Sequence, residues 1–307
     1  MTRRTRVGVV APSSRLEHPM AERVTALAAQ HYAAVELVFH PQCFLSSGHF
    51  AGSDAARAAA FVEIANDPTF DALWFGRGGY GSCRMAGEAL ATLSDAARSK
   101  TYLGYSDAGV LLAGLYAKGF RSVVHGPMPA DIARAGGEAA VMRSLGFLAT
   151  GAPEALESSV AASGKVVAFN LMTFSQLLGA PLQPDLTDHV LMLEEVSEYM
   201  YRIDRSLFHI TSNPAVQRVA GIRLGRCSAI PDNDPPFGQT EVEIVQHWCK
   251  RSGIPYLGRA DIGHDADNKI VPFGGVRQAR ALLALRGGVE QREHARRRRP
   301  SRDNHRG

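Results

Sequence analysis

The chain has 307 residues, 45% hydrophobic and 21% charged, the balance of an ordinary soluble globular protein. No apolar run approaches a membrane span, and the four scattered cysteines, with no CxxC pair, argue against a zinc site or a disulfide framework. The formal charge is +4, but residues 286–307 hold eight Arg against three acids, a net of +5, so the body carries −1. The basic pI of about 9.0 therefore belongs to the tail. Its Arg296–Arg299 run reads as a solvated, disordered end, not as a specific nucleic-acid or membrane surface.

Short β-rich runs alternate with helical patterns along the chain. Arg6–Ala11 reads as a first strand; its apolar stretch is too short for a signal-peptide core, so a cytoplasmic location is expected. A helix follows around Ala21–Gln30, then a strand at Ala34–Val38 and a helix at Ser53–Asn66 with Ser53 or Asp54 near its start. Ala72–Phe75 is a strand that runs into the turn Gly76-Arg77-Gly78-Gly79-Tyr80-Gly81. Tyr102–Gly104 (strand), Ala108–Lys118 (helix) and Ser122–His125 (strand) complete the first unit. From Gly136 to Gly164 the pattern weakens and small residues dominate, as in a linker. Beyond it come His189–Leu193 (strand), Tyr201–Ile210 (helix), Val219–Leu224 (strand), Thr240–Lys250 (helix) and Lys269–Pro272 (strand). The expectation is an α/β protein built from parallel βαβ units. An N-terminal parallel-sheet α/β domain spans 1–135, a linker 136–164, a second α/β domain 165–286 and a basic tail 287–307.

Four segments could carry chemistry. Gly104-Tyr105-Ser106-Asp107-Ala108-Gly109 joins a strand to a helix, so the Ser106 hydroxyl would lie beside a helix N-terminus with free N–H groups. That suits a nucleophile whose reaction creates an oxyanion, although an ordinary helix cap would look the same. Gly76, Gly78 and Gly81 spell G-x-G-x-x-G, but after the third strand, and no acid clearly follows about 20 residues on. A tight turn, or close backbone approach to a ligand with Arg77 or Arg84 holding a carboxylate, fits as well. Glu194 and Glu195 end an apolar strand, where one of them could orient a histidine; solvated surface acids are the alternative. Gly263-His264-Asp265 lies in a polar loop, and the order Ser, acid, His is one in which catalytic triads occur. His125 and His209 read as structural or substrate-lining.

Together these pieces resemble the LD-carboxypeptidase family, which includes the microcin C self-immunity peptidases. The shared elements are Val9-Val10-Ala11-Pro12-Ser13, Gly78-Gly79-Tyr80-Gly81 with Arg84, Gly104-Tyr105-Ser106-Asp107 and His125-Gly126-Pro127-Met128. They continue with Asn170-Leu171, Leu178-Gly179, Leu193-Glu194-Glu195-Val196, Tyr201-Arg202-Ile203-Asp204-Arg205 and Gly263-His264. The resemblance implies a catalytic triad of Ser106, Glu194 and His264, with an oxyanion hole from the N–H groups of Gly79 and Asp107. It implies a β-rich C-terminal α/β domain and an active site at the domain interface. It also implies homodimers and removal, without metal or cofactor, of the terminal D-Ala from murein tetrapeptide in cell-wall recycling. Ala168 and Phe169 stand where the family usually has paired glycines, and Met172 replaces a small polar residue. These departures bear on substrate choice.

The same residues admit two other functions. A peptidyl-nucleotide hydrolase would want an aromatic side chain in the cleft, yet Trp74 falls in a strand and Trp248 in a helix. A non-catalytic nucleotide- or RNA-binding protein would use Gly76–Gly81 and the tail, with strong salt dependence.

Overall fold

The strands of the first half are short, apolar runs buried on both faces, such as ALWF, TYLG and VVH, as central parallel strands must be. The computed structural model describes residues 4–275; the expected tail and the end of the second domain lie outside the described residues. Strands β1 (Thr5–Val10), β2 (Val35–Phe39), β3 (Ala72–Phe75), β4 (Thr101–Gly104) and β5 (Val123–His125) form a parallel sheet in the order β2-β1-β3-β4-β5. They alternate with helices α1 (His18–His31), α2 (Asp54–Asn66), α3 (Ser82–Ala91) and α4 (Gly109–Ala117). Ser53 caps α2, its Oγ accepting the Ala56 N–H at 3.2 Å. The strand order reverses between β1 and β3, so a crevice opens at their carboxyl ends, the place where such sheets bind ligands.

The stretch 136–164, expected as a linker, carries a helix, α5 (Gly137–Thr150). Its buried Val141, Leu145 and Leu148 recur at helical spacing and pack with Val24 and Ala28 of α1. Small residues around it, with left-handed Gly136 and Gly151 at its ends, hide that period in the sequence.

Four parallel strands make the second sheet: β6 (Lys165–Asn170), β7 (His189–Val196), β8 (Gly221–Ser228) and β9 (Tyr256–Arg259), in sequence order. They are joined by α6 (Leu171–Leu177), α7 (Met200–Ser212) and α8 (Glu241–Ser252). Strand β6, α6 and β9 were not expected from sequence. After β9 the chain returns to the first sheet as β10 (Val271–Pro272), antiparallel to β5 with Val271 opposite His125. One apolar core joins the two sheets, running from Phe75, Tyr102 and Leu111 to Phe169, Leu193 and Ile222. No described helix is long and apolar enough to cross a membrane.

Gly137 opens α5 directly over the preceding turn: a Cβ there would lie 1.9 Å from the Asp131 carbonyl oxygen. Because the obstacle is backbone, Gly137→Ala should cost about 1–3 kcal/mol. The reading is a lowered thermal midpoint; an unchanged midpoint would mean that the 131–137 turn yields freely.

Candidate active site

The chain leaves β4 at Gly104 and turns sharply. Ser106 takes a left-handed backbone, φ 59°, and begins a short 3-10 turn, Ser106–Ala108, that feeds α4. Few side chains other than glycine adopt that conformation, and holding one there costs on the order of 1–3 kcal/mol. The cap position belongs to Tyr105, so the Ser106 hydroxyl is not spent on capping. It faces the ring of His264, with Oγ 3.0 Å from Nε2. The other ring nitrogen, Nδ1, lies 2.6 Å from Oε2 of Glu194. His264 sits between β9 and β10, 7% exposed, and Glu194 on β7 is fully buried. The three residues expected to act together are therefore in one line, the serine from the first domain and the other two from the second.

Glycines make room for this line. A Cβ on Gly78 would come within 2.8 Å of Ser106 Oγ, and one on Gly225 of β8 within 2.8 Å of Glu194 Cβ. Gly79 has φ 110°, and a Cβ there would strike Ser14 Oγ at 2.3 Å. The glycine loop is tied to the loop after β1 by the Ser14 N–H, which donates to the Gly78 carbonyl at 3.2 Å. Asp107 latches the same loops: Oδ2 accepts the Ser82 N–H at 2.8 Å and the Ser13 hydroxyl. The Ser82 hydroxyl donates back to the Asp107 carbonyl at 2.6 Å. Sequence reasoning gave Asp107 only its N–H; the carboxylate latch spans 94 residues to Ser13 and leaves no local signal.

Residues 7–126 match the LD-carboxypeptidase N-terminal domain and residues 163–278 the LD-carboxypeptidase C-terminal domain. The chain belongs to the LD-carboxypeptidase family. It is a serine-type carboxypeptidase, a hydrolase of peptide bonds. A Synechocystis sp. protein that carries a carboxypeptidase name is 31% identical over 278 residues, 88% of this chain and 89% of that one. The murein tetrapeptide carboxypeptidase of Pseudomonas aeruginosa is 24% identical over 290 residues, 88% of this chain and 91% of that one. Two solved structures share the fold. Muramoyltetrapeptide carboxypeptidase from Oxalobacter formigenes has a TM-score of 0.72 at 21% identity, covering 88% of this chain and 93% of that one. The microcin C7 self immunity protein MccF, in complex with aspartyl sulfamoyl adenosine, has a TM-score of 0.71 at 19% identity, covering 90% and 92%.

In this LD-carboxypeptidase the two adjacent acids part ways because strand neighbours point to opposite faces. Glu194 turns to His264. Glu195 turns to α6, where Oε1 accepts from Asn170 Nδ2 at 2.7 Å and Oε2 from the Met172 N–H at 2.8 Å. Burial, helped by the neighbouring Glu194 charge, pushes Glu195 up to about 7. The arginines expected near a substrate carboxylate are otherwise engaged. Arg84 Nε lies 2.9 Å from Asp54 Oδ2, and Arg77 Nη1 donates to the Arg15 carbonyl at 2.9 Å. Neither contacts the Ser106–His264–Glu194 line. Arg134, which sequence reasoning did not single out, does reach it: Nη1 donates to the His264 carbonyl at 2.8 Å. Phe169 is buried between Phe174 and Phe273 and belongs to the core, whereas Met172 lines a cleft between α6 and α7 with Arg202, Arg205 and His209.

The histidines differ electrostatically. Burial pulls His264 down, but the charge and hydrogen bond of Glu194 outweigh it and the net displacement is upward from 6.5. His125 is fully buried, with Nε2 3.2 Å from Asn268 Oδ1, and burial drives it down to about 4. In an NMR titration His264 should therefore protonate with a midpoint above 6.5, while His125 stays neutral until about pH 4. Coincident midpoints would contradict the two environments described.

Proposed function

We propose that this carboxypeptidase removes the terminal D-Ala from murein tetrapeptide by acyl transfer, with Ser106 as nucleophile, His264 as general base and Glu194 as its orienting acid. The observation that carries the reading is the continuous line Ser106 Oγ, His264 Nε2, His264 Nδ1, Glu194 Oε2, with gaps of 3.0 and 2.6 Å. Nδ1–H donates to Glu194, which leaves Nε2 free to take the Ser106 proton. Ser106 Oγ attacks the carbonyl before D-Ala, and the N–H groups of Gly79 and Asp107 receive the oxyanion. Collapse breaks the C–N bond, and His264 returns its proton to the leaving amine. Water, activated by His264, then releases the peptide from Ser106. We extend the family resemblance to a cytoplasmic homodimer, which light scattering of the purified protein tests as to size.

A second substrate, a peptidyl nucleotide, is favoured by one feature. Tyr199 and Tyr201, both exposed, stack at 5.7 Å between centroids and line a cleft of about 420 Å³ with Asn233 and Phe237. A nucleobase could add to such a stack. The tryptophans are placed elsewhere: Trp74 is buried and donates to the Pro127 carbonyl at 2.8 Å, and Trp248 donates to Asp204 at 2.8 Å.

Mass spectrometry of L-Ala-γ-D-Glu-meso-diaminopimelate-D-Ala after incubation should show loss of one alanine. Ser106→Ala should lower kcat by about 10⁴-fold or more without unfolding the protein. Glu194→Gln should cost about 10²- to 10⁴-fold, since the imidazole loses its orienting acceptor. Full activity of Ser106→Ala would sink the nucleophile assignment. Intact tetrapeptide alongside cleavage of an aminoacyl sulfamoyl adenosine would move the substrate to the peptidyl nucleotides.

A further inference from the structure

Ser106 and His264 are connected twice. The direct connection is the 3.0 Å approach of Oγ to Nε2. The second runs behind the reacting atoms. Tyr105, the residue before Ser106, donates its hydroxyl to Asp131 Oδ1 at 2.8 Å. Arg134 Nε donates to the same oxygen at 2.8 Å, and Arg134 Nη1 donates to the His264 carbonyl at 2.8 Å. Asp131 is 3% exposed, and its Oδ2 accepts the Met128 N–H at 2.8 Å, so the carboxylate is fixed from both sides. The ring of Tyr105 also packs on His264, 4.7 Å between centroids.

We propose that Arg134 is a positioning residue that locks the His264 backbone of the second domain to the Tyr105–Ser106 turn of the first. This rests on the triad reading above. Other arginines grip the same loop but not the histidine. Arg143 Nη1 donates to the Ala266 and Asn268 carbonyls at 2.8 Å each, and Arg226 Nη2 holds Asp265 Oδ1 at 2.8 Å. Arg134 alone among them bonds the His264 carbonyl. The task needs a planar fork: one edge must serve Asp131 while the end serves a carbonyl, and the single ammonium of a lysine cannot span both.

Arg134 also acts through its charge. The groups facing His264 are Glu194 from β7, His125 from β5, Asp131 and Arg134 from the turn after β5, Tyr105 from the nucleophile turn, and Asp265 beside it. Of these, the Arg134 charge opposes protonation of the imidazole, whereas Glu194 and Asp131 favour it. Deleting that charge makes the imidazolium easier to form, so the pH at which the base becomes neutral moves upward.

The test follows labelling of Ser106 by a fluorophosphonate across pH, which needs no peptide substrate; Ser106→Ala is the blank. Arg134→Gln should label about tenfold to hundredfold more slowly at its plateau, with the half-rise at higher pH than wild type. Arg134→Lys should return the half-rise to the wild-type pH but not the full rate. Tyr105→Phe, which cuts the link on the other side of Asp131, should slow labelling without moving the half-rise. It serves, with Arg134→Lys, if Arg134→Gln does not fold. Wild-type rates and pH dependence in the folded Arg134 and Tyr105 variants would overturn the positioning role and leave the triad standing. A wild-type enzyme that does not label at Ser106 would overturn the triad and this proposal together.

Discussion

His264 meets a hydroxyl held by one domain and a carboxylate held by the other, and both contacts are made at once. Most of the architecture around the site holds that double contact. The histidine sits on the chain's return path from the second sheet to the first, between β9 and the antiparallel pairing of β10 with β5. Both ends of its loop are therefore anchored, one in each sheet. A shared apolar core keeps the sheets from sliding, since parallel displacement would expose residues such as Phe169 and Phe273. The cost is the buried carboxylate of Glu194. Desolvating a charge is expensive, and His264 answers it at one oxygen, while Oε1 has no partner among the described residues. Such a pair is poorly explained by stability.

Local strain is concentrated on the opposite side of the same contact. Ser106 is one of four described non-glycine residues with positive φ, and its neighbours over-determine that conformation. Asp107 is clamped by Ser13 and Ser82, Tyr105 by Asp131, and the glycine loop closes over Oγ. The latch explains why three loops, after β1, β3 and β4, carry so many of the family-like residues. They form one unit around Ser106, and burial raises the Asp107 carboxyl against the hydrogen bonds that hold it.

Of the residues in which this chain differs from the family pattern, Ala168 and Phe169 are buried in the core, and Met172 lines a cleft. Met172 lies over the Glu195–Asn170 clasp at the start of α6, facing Arg202 and Arg205 of α7. Tyr199 and Tyr201, at the start of α7, line a separate cleft with Asn233 and Phe237. The line and these clefts occupy different surfaces: His264 and Glu194 are buried, whereas the clefts lie near the first turns of α6 and α7.

The sequence by itself determined the α/β class, most of the strands, and the residues of the line Ser106, Glu194, His264. The strand signals are local, and the line follows from several motifs that together resemble the family. Strand β3 is a short apolar run ending in glycines, Ser106 follows a strand and precedes a helix, and Gly263-His264 stands in a polar loop. Local pattern failed where small residues blurred the period, as in α5, and although it marked a strand at Lys269–Pro272, it did not show that β10 pairs with β5 of the first sheet. Only the tertiary structure decided that Glu195 clasps Asn170 and the start of α6, that Arg84 is held by Asp54, and that Arg134 holds the His264 backbone. The reason is physical. A strand's pleat, a cap or a tight turn is written within a few residues, whereas Arg134 and His264 are 130 residues apart and Ser106 and His264 are 158 apart. Their meeting depends on how two whole sheets share one core.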